Sequence, residues 1–131
     1  MTDRLRILHV EDSEADAKLV AYALRRGFGD IEVERVSDAT EMIAALQRGP
    51  WHAVVSDWRL PNFSAPAAFA LAKKSGLDIP FIVVSGADGE EAAADATRVG
   101  ANDYVLKDNL PRLVPAIQRE LREAELRRER H

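Results

Sequence analysis

The stretch LRILHVEDS, at residues 5–13, decides the fold. Its first six residues form a short and nearly continuous apolar run, which is typical of a strand covered on both faces. Two carboxylates follow at once. Ser13 then begins a helix of the capping-box kind, with Asp16 in the place of the usual Glu. A buried strand that leads directly into a helix indicates the repeating unit of a parallel sheet.

Four further short apolar runs follow this first one along the chain. They lie at Ile31–Val36, Ala53–Ser56, Ile79–Val84 and Tyr104–Leu106. The second and third of these are nearly continuous, like residues 5–10. The run at Ile31–Val36 instead alternates, with Ile31 and Val33 on one side and Glu32 and Glu34 on the other. That alternation predicts an edge strand with one wet face.

Helical patterns separate the runs, and most end at a glycine. The first carries an apolar stripe of Ala15, Leu19, Ala23 and Leu24 and ends near Gly27 and Gly29. The others are marked by Met42, Ile43 and Leu46 before Gly49-Pro50, by residues 65–74 before Gly76, by residues 90–99 before Gly100, and by a start at Leu110 or Pro111. Five strand–helix units predict an α/β fold, a doubly wound five-stranded parallel sheet with helices on both faces. Ligands bind such sheets beyond the carboxyl ends of the strands.

Length and composition predict one soluble domain. The chain has 131 residues, 31% of them charged, a net charge of −4 and no cysteine. The negative charge argues against a nucleic-acid surface. No apolar run reaches the roughly 18 residues of a membrane span, and residues 1–12 do not form a signal peptide. A cytoplasmic location is therefore expected.

Polar side chains follow the strands where ligands would bind. Glu11 and Asp12 follow the first run, Asp57 the third, Ser85 the fourth and Lys107 the fifth. Three carboxylates at one edge repel one another, so a cation is expected there, and oxygen ligands suit Mg²⁺. Each residue alone has a simpler interpretation, as a helix cap, a turn, a loop or a surface lysine. Their coincidence at successive strand ends favours a site.

Four segments resemble the signature stretches of response-regulator receiver domains. They are ILHVED at 7–12, SDWRLP at 56–61, VVSG at 83–86 and GANDYVLK at 100–107. The resemblance covers roughly Leu5 to Leu121 and implies the flavodoxin-like strand order 2-1-3-4-5. The stretch KDNL at 107–110 with RLVP at 112–115 resembles a subgroup often joined to sensor or output domains.

The resemblance also implies roles for individual residues. Asp57 would accept a phosphoryl group, and Mg²⁺ would be held by Glu11, Asp12, Asp57 and the backbone carbonyl of Arg59. Lys107 would pair with the phosphoryl oxygens, Ser85 would donate a hydrogen bond to them, and Tyr104 would rotate in response. The donor would be a histidine kinase or a histidine phosphotransfer protein. The domain would take part in its own phosphorylation and dephosphorylation without being an enzyme of its own.

The chain departs from the family pattern at several positions. Ser64-Ala65, followed by Pro66, stands where most receivers have Asp-Gly, and Arg59 is a long cation beside the acceptor. Ser85 replaces the more frequent Thr. Asp108 follows Lys107 where receivers usually have a proline, often in the cis form. A cis bond is costly before a residue other than proline, so this peptide bond is expected to be trans, or else to be a strained peptide kept for the site.

The last helix allows two interpretations. Its apolar residues recur at a 4-3-4-3 spacing: Leu110, Val114, Ile117, Leu121 and Ala124. That spacing suits a core-facing helix, and it equally suits a signalling helix that forms a homodimer or leads into an absent output domain. We divide the chain into a receiver domain at 1–123 and a charged helix end at 124–131.

Two other function classes remain open. One is a phosphatase or phosphotransferase of another aspartyl-nucleophile family. Such an enzyme calls for a second acid two residues after the nucleophile, where this chain has Arg59. The other is a degenerate receiver that serves only as a binding or dimerisation module, which the full acceptor set argues against.

Overall fold

The computed structural model describes residues 4–58, 63–76, 78–86 and 89–130, with the backbone alone at 89–92. Strands and helices alternate along the chain. The strands are β1 (Arg6–Val10), β2 (Glu32–Val36), β3 (Ala53–Asp57), β4 (Phe81–Ser85) and β5 (Asp103–Leu106). The helices are α1 (Glu14–Phe28), α2 (Ala39–Gln47), α3 (Ala65–Lys74), α4 (Gly89–Val99) and α5 (Leu113–Glu129), and a 3₁₀ segment spans Lys107–Arg112.

The strands described form one parallel sheet in the order β2-β1-β3-β4-β5, which confirms the predicted fold. Alternate residues of each central strand enter opposite hydrophobic clusters: Leu8 packs under α2, α3 and α4, and Ile7 packs under α1 and α5. The five residues of β3 and of β4 are all buried. Continuous apolar runs result because both faces of these strands are covered.

β2 lies at the edge of the sheet, as its alternating pattern predicted. Glu32, Val33 and Glu34 are half-buried and Arg35 is exposed. Val33 packs against the cluster under α1, while the Arg6 guanidinium pairs with Glu32 at 3.1 Å. The edge strand therefore keeps its charged side chains within reach of water.

Helix α1 begins as predicted but faces the core differently. The Ser13 hydroxyl accepts a hydrogen bond from the Asp16 backbone N–H at 3.2 Å. The predicted stripe was right at Leu24, which is buried with Ala17 and Val20, but wrong at Leu19, which is 59% exposed. Because α1 has apolar residues on more than one face, composition alone could not decide which face packs on the sheet.

Helix α5 starts at Leu113, slightly later than predicted, because the 3₁₀ segment precedes it. Ile117 and Ala124 are buried, and Leu110, Val114 and Leu121 pack against the cluster of α1 and α5. The 4-3-4-3 spacing thus faces the core of the domain itself. This outcome favours the core-facing interpretation over a dimer built on the same residues.

Two of the departures from the family pattern have a structural account. Ser64 caps α3, its hydroxyl accepting from the Ala67 N–H at 3.2 Å, and Pro66 lies in the first turn. The Lys107–Asp108 peptide bond is trans, as expected. Within the described ranges, no helix has the length and apolar character needed to cross a membrane.

Candidate functional site

The parallel register brings the predicted acids together. Val10 of β1 pairs with Ser56 of β3, so Glu11 and Asp57 follow at the same edge of the sheet. Oxygen atoms of Glu11, Asp12 and Asp57 all lie within 4.8 Å of one another. Glu11 and Asp57 are buried and Asp12 is exposed. These three residues, called the acidic trio below, could hold a metal ion.

Lys107 lies among these acids, as predicted. Its Nζ is 3.0 Å from Oδ2 of Asp57 and 3.0 Å from Oε1 of Glu11. It is also 2.7 Å from Oδ2 of Asp16. Burial would lower the pKa of Lys107, but the contacts with these three carboxylates outweigh burial and hold the pKa above its usual range. The ammonium therefore stays charged at every pH at which the protein would function.

Glu11 is the least solvated member of the acidic trio. Its Oε2 accepts from the Ser13 N–H at 3.2 Å. Its Oε1 contacts Lys107 as an ion pair but has no hydrogen-bond partner in the part of the chain described here. Burial raises the pKa of Glu11 to about 7, with Asp57 adding to the rise and Lys107 opposing it. An orphaned buried carboxylate oxygen is what a bound cation would satisfy.

Ser85 and Lys107 reach the same edge from the other side of Asp57. Val84 pairs with Asp57, and Ser85 pairs with Leu106. Ser85 is buried at the end of β4, and Lys107 follows directly after β5. The strand order thus places the serine and the lysine at the same edge of the sheet as the Asp57 carboxylate.

Tyr104 is half-buried on β5 and packs against the cluster under α2, α3 and α4. Its hydroxyl is buried without a hydrogen-bond partner among the residues described. Arg59, the predicted source of a carbonyl ligand, lies outside the described residues.

Two charged residues near the site were not predicted to belong to it. Asp16 binds Lys107, although its position in the helix start indicated only a cap. Arg35 of β2 donates to the backbone carbonyls of Glu11 at 3.4 Å and Asp12 at 3.5 Å. Both contacts join segments far apart in sequence, so local patterns carried no signal for them.

His9 is buried in β1, two residues before Glu11. Burial, together with the nearby positive charges of Lys107 and Arg35, lowers its pKa to about 3. The imidazole is therefore neutral at physiological pH and acts as a core side chain beneath the site.

A doubly wound parallel sheet with the acidic trio and a lysine at its carboxyl edge defines a flavodoxin-like α/β domain with a candidate cation site. The family described as response regulator receiver domain matches residues 7–118. The chain belongs to this family, which is the receiver domain of two-component response regulators.

Known proteins similar to the chain agree with this assignment. The phosphate regulon transcriptional regulatory protein PhoB of Klebsiella pneumoniae is 30% identical over 111 residues, which are 82% of this chain and 47% of that protein. The chain thus spans about half the length of the curated relatives it matches. NtrX from Brucella abortus is 28% identical with a TM-score of 0.84, covering 97% of this chain and 29% of that one.

A third comparison supports the fold alone. The crystal structure of the signal receiver domain of a Luxo repressor protein from Vibrio parahaemolyticus has a TM-score of 0.81 at 22% identity, covering 95% of both chains. Because the chain belongs to the receiver family, it is not a member of the other aspartyl-nucleophile families considered from the sequence.

Proposed function

We propose that the domain accepts a phosphoryl group on Asp57 from a histidine kinase or a histidine phosphotransfer protein. One observation carries this proposal: the Lys107 ammonium lies 3.0 Å from Oδ2 of Asp57, next to an acidic trio whose oxygens lie within 4.8 Å of one another. A purely structural edge would not gather three carboxylates with an ammonium, because the carboxylates repel and lose solvation.

In phosphoryl transfer, the protein contributes mainly by positioning the reacting groups and by stabilising negative charge in the transition state. A carboxylate oxygen of Asp57 attacks phosphorus, the phosphorus–nitrogen bond of the donor phosphohistidine breaks, and its electron pair stays on the imidazole nitrogen. Lys107 balances negative charge on the phosphoryl oxygens as a point charge. Ser85 is suited to donate its hydroxyl to the arriving group.

The acidic trio fits Mg²⁺ because its donors are hard oxygens and Oε1 of Glu11 lacks a hydrogen bond within the described residues. Glu11, Asp12 and Asp57 would hold the ion, with the Arg59 carbonyl as a further ligand. Bound Mg²⁺ supplies charge neutralisation at the transferring group. Arg35 holds the segment that carries Glu11 and Asp12 through their backbone carbonyls.

The expected response runs from Ser85 to the face formed by α4, β5 and α5. Once the phosphoryl group accepts a hydrogen bond from Ser85, we expect α4 to shift, and Tyr104 on β5 packs against the cluster that includes Ala96 of that helix. The unpaired Tyr104 hydroxyl supports a mobile role, since a buried polar group without a partner is costly to keep in place.

A groove beside the acceptor edge supports the partner half of the proposal. It has a volume of ≈ 520 Å³ and is lined by Leu19 and Tyr22 of α1 and by Leu110 and Val114. Both apolar residues of α1 are largely exposed. Since Asp16, one turn before Leu19, already contacts Lys107, a protein seated there would bring its phosphohistidine close to Asp57.

Mass spectrometry after incubation with acetyl phosphate and Mg²⁺ tests the proposal. We expect the wild type to gain one phosphoryl mass and Asp57→Asn to gain none. Asp30→Asn, which removes an exposed acid paired with Arg4, is the matched control and should be labelled like the wild type. Equal labelling of Asp57→Asn would contradict the assignment. No labelling of the wild type would favour a degenerate receiver that acts only as a binding module.

A further inference from the structure

Lys107 contacts a carboxylate that lies outside the acidic trio. Oδ2 of Asp16, in the first turn of α1, is 2.7 Å from Nζ. This is shorter than the 3.0 Å contacts with Asp57 and Glu11. The two residues are 91 positions apart in the sequence, so the contact ties the start of α1 to the end of β5.

The Asp16 carboxylate is available for this contact because Glu11 accepts the hydrogen bond that a residue in the position of Asp16 usually accepts. In a capping box, the acid three residues after the cap accepts from the backbone N–H of the cap residue. Here the Ser13 N–H donates to Oε2 of Glu11 instead. Ser13 still caps the helix by accepting from the Asp16 N–H, which leaves the Asp16 carboxylate for Lys107.

Three carboxylates already surround the Lys107 ammonium. A lysine ammonium has three N–H donors and no acceptor. It donates hydrogen bonds to Asp16 and Asp57, and Oε1 of Glu11 is its third neighbour. A phosphoryl oxygen on Asp57 must therefore share Lys107 with carboxylates already bound to it.

Asp16 differs from the other two carboxylates in one respect. Asp57 and Glu11 belong to the acidic trio, so a cation bound there would offset their charge. Asp16 is not in that trio, and its side chain is 37% exposed. Its negative charge therefore remains next to the ammonium at the moment when the phosphoryl group needs it.

We propose that Asp16 competes with the phosphoryl group on Asp57 for the ammonium of Lys107. This inference rests on the proposed function of Asp57. Asp16 thereby weakens the binding of a phosphoryl group at Asp57, because its carboxylate pairs with the Lys107 ammonium and adds a negative charge near the phosphoryl oxygens.

Calorimetric titration of beryllofluoride, a phosphoryl analogue, into the Mg²⁺-loaded protein tests the competition. We expect Asp16→Asn to bind beryllofluoride about threefold to tenfold more tightly than the wild type. This is the effect of removing one partly solvated negative charge in contact with the Lys107 ammonium. The gain should shrink in high salt, because screening weakens exposed charges most.

Two variants separate competition from a structural effect. Glu14→Gln removes a neighbouring acid of the same turn that pairs with Lys18, and it should bind beryllofluoride within about twofold of the wild type. Asp16→Glu restores the carboxylate and should restore affinity close to that of the wild type. A change of helix stability alone would not be reversed by Glu and would also appear in Glu14→Gln.

The outcomes distinguish this inference from the proposed function. Unchanged or weaker binding by Asp16→Asn, with the wild type still binding beryllofluoride and still phosphorylated on Asp57, would overturn the role of Asp16 alone. Failure of the wild type to bind beryllofluoride and to become phosphorylated would overturn both.

Discussion

At the scale of single residues, the buried carboxyl group of Glu11 makes the stability of the domain depend on pH. It is 1% exposed, and burial raises its pKa from an ordinary 4.5 to about 7. The folded protein therefore holds the Glu11 proton up to a higher pH than the unfolded chain does. The stabilisation from this group is present below about pH 4.5 and is lost as the pH rises through about 7.

His9 has the opposite effect on stability. Burial lowers its pKa from 6.5 to about 3, so its contribution is present above pH 6.5 and is lost as the pH falls towards 3. The two contributions oppose each other between about pH 4.5 and 6.5. Glu11 and His9 together should therefore change the free energy of unfolding of the metal-free wild type only a little between about pH 4.5 and 6.5.

We predict that Glu11→Gln reveals the two opposed contributions. Denaturant unfolding without metal should show the wild type losing roughly 2 kcal/mol relative to Glu11→Gln as the pH rises from 4.5 to 7. The variant itself should lose stability as the pH falls below 6.5, because only His9 remains. Parallel pH profiles for the two proteins would show that Glu11 titrates normally.

At the scale of elements, the contact between α1 and α5 is unusually close. A Cβ placed on Gly27 would lie 2.5 Å from Cγ2 of Val114 and 3.0 Å from its Cβ. Valine has little rotamer freedom with which to move away. Gly27 therefore permits the close approach of α1 and α5 beneath the groove that we propose for the phosphodonor.

Gly27→Ala should therefore have opposite effects in two backgrounds. In the wild type we expect a loss of about 1–2 kcal/mol, because overpacking outweighs the better helix propensity of alanine. In the Val114→Gly background all three clashing carbon atoms are gone, so the same change should add about 0.5–1 kcal/mol. Urea unfolding of the four proteins measures both effects. Additive effects would mean that the two helices adjust without strain.

The helices also show which features the sequence patterns could predict and which they could not. Residues 65–74 were predicted as a helix and form α3, because the capping and glycine signals that mark the ends of a helix are local in sequence. The predicted buried face of α1 was wrong at Leu19, because Leu19 and Val20 are both apolar and Val20 is the one that packs on the cluster of sheet and α5 residues. Ends of elements follow local chemistry, whereas the orientation of a helix depends on partners far along the chain.

At the scale of the whole molecule, the parallel register explains how much of the site could be predicted. Residues that directly follow the strands must meet at one edge, so Glu11, Asp12, Asp57 and Lys107 could be found from the sequence. Asp16 and Arg35 could not be found in this way. Asp16 reaches the site from the first turn of α1, and Arg35 reaches it from β2 through its long side chain. Their contributions depend on tertiary distances that no spacing rule contains.

The C-terminal end of α5 belongs to the packing of the whole domain. Ala124 is buried, and the Arg127 guanidinium makes two hydrogen bonds to the Asp78 carboxylate, at 3.1 and 3.2 Å. Asp78 lies just before β4, at the opposite end of the sheet from the acidic trio. The pairing lowers the pKa of Asp78, although both side chains are largely solvated.

We predict that truncation after Leu121 lowers the free energy of unfolding by about 1–2 kcal/mol, from the lost burial of Ala124 and the lost pair of Arg127 with Asp78. Truncation after Glu129 is the control and should match the full chain. Arg127→Ala should reproduce only a small part of the loss, since exposed ion pairs contribute little. Guanidinium unfolding of the three variants measures these differences. A truncated protein as stable as the full chain would mean that the last turns of α5 are a frayed surface helix, available to a partner or to a following domain.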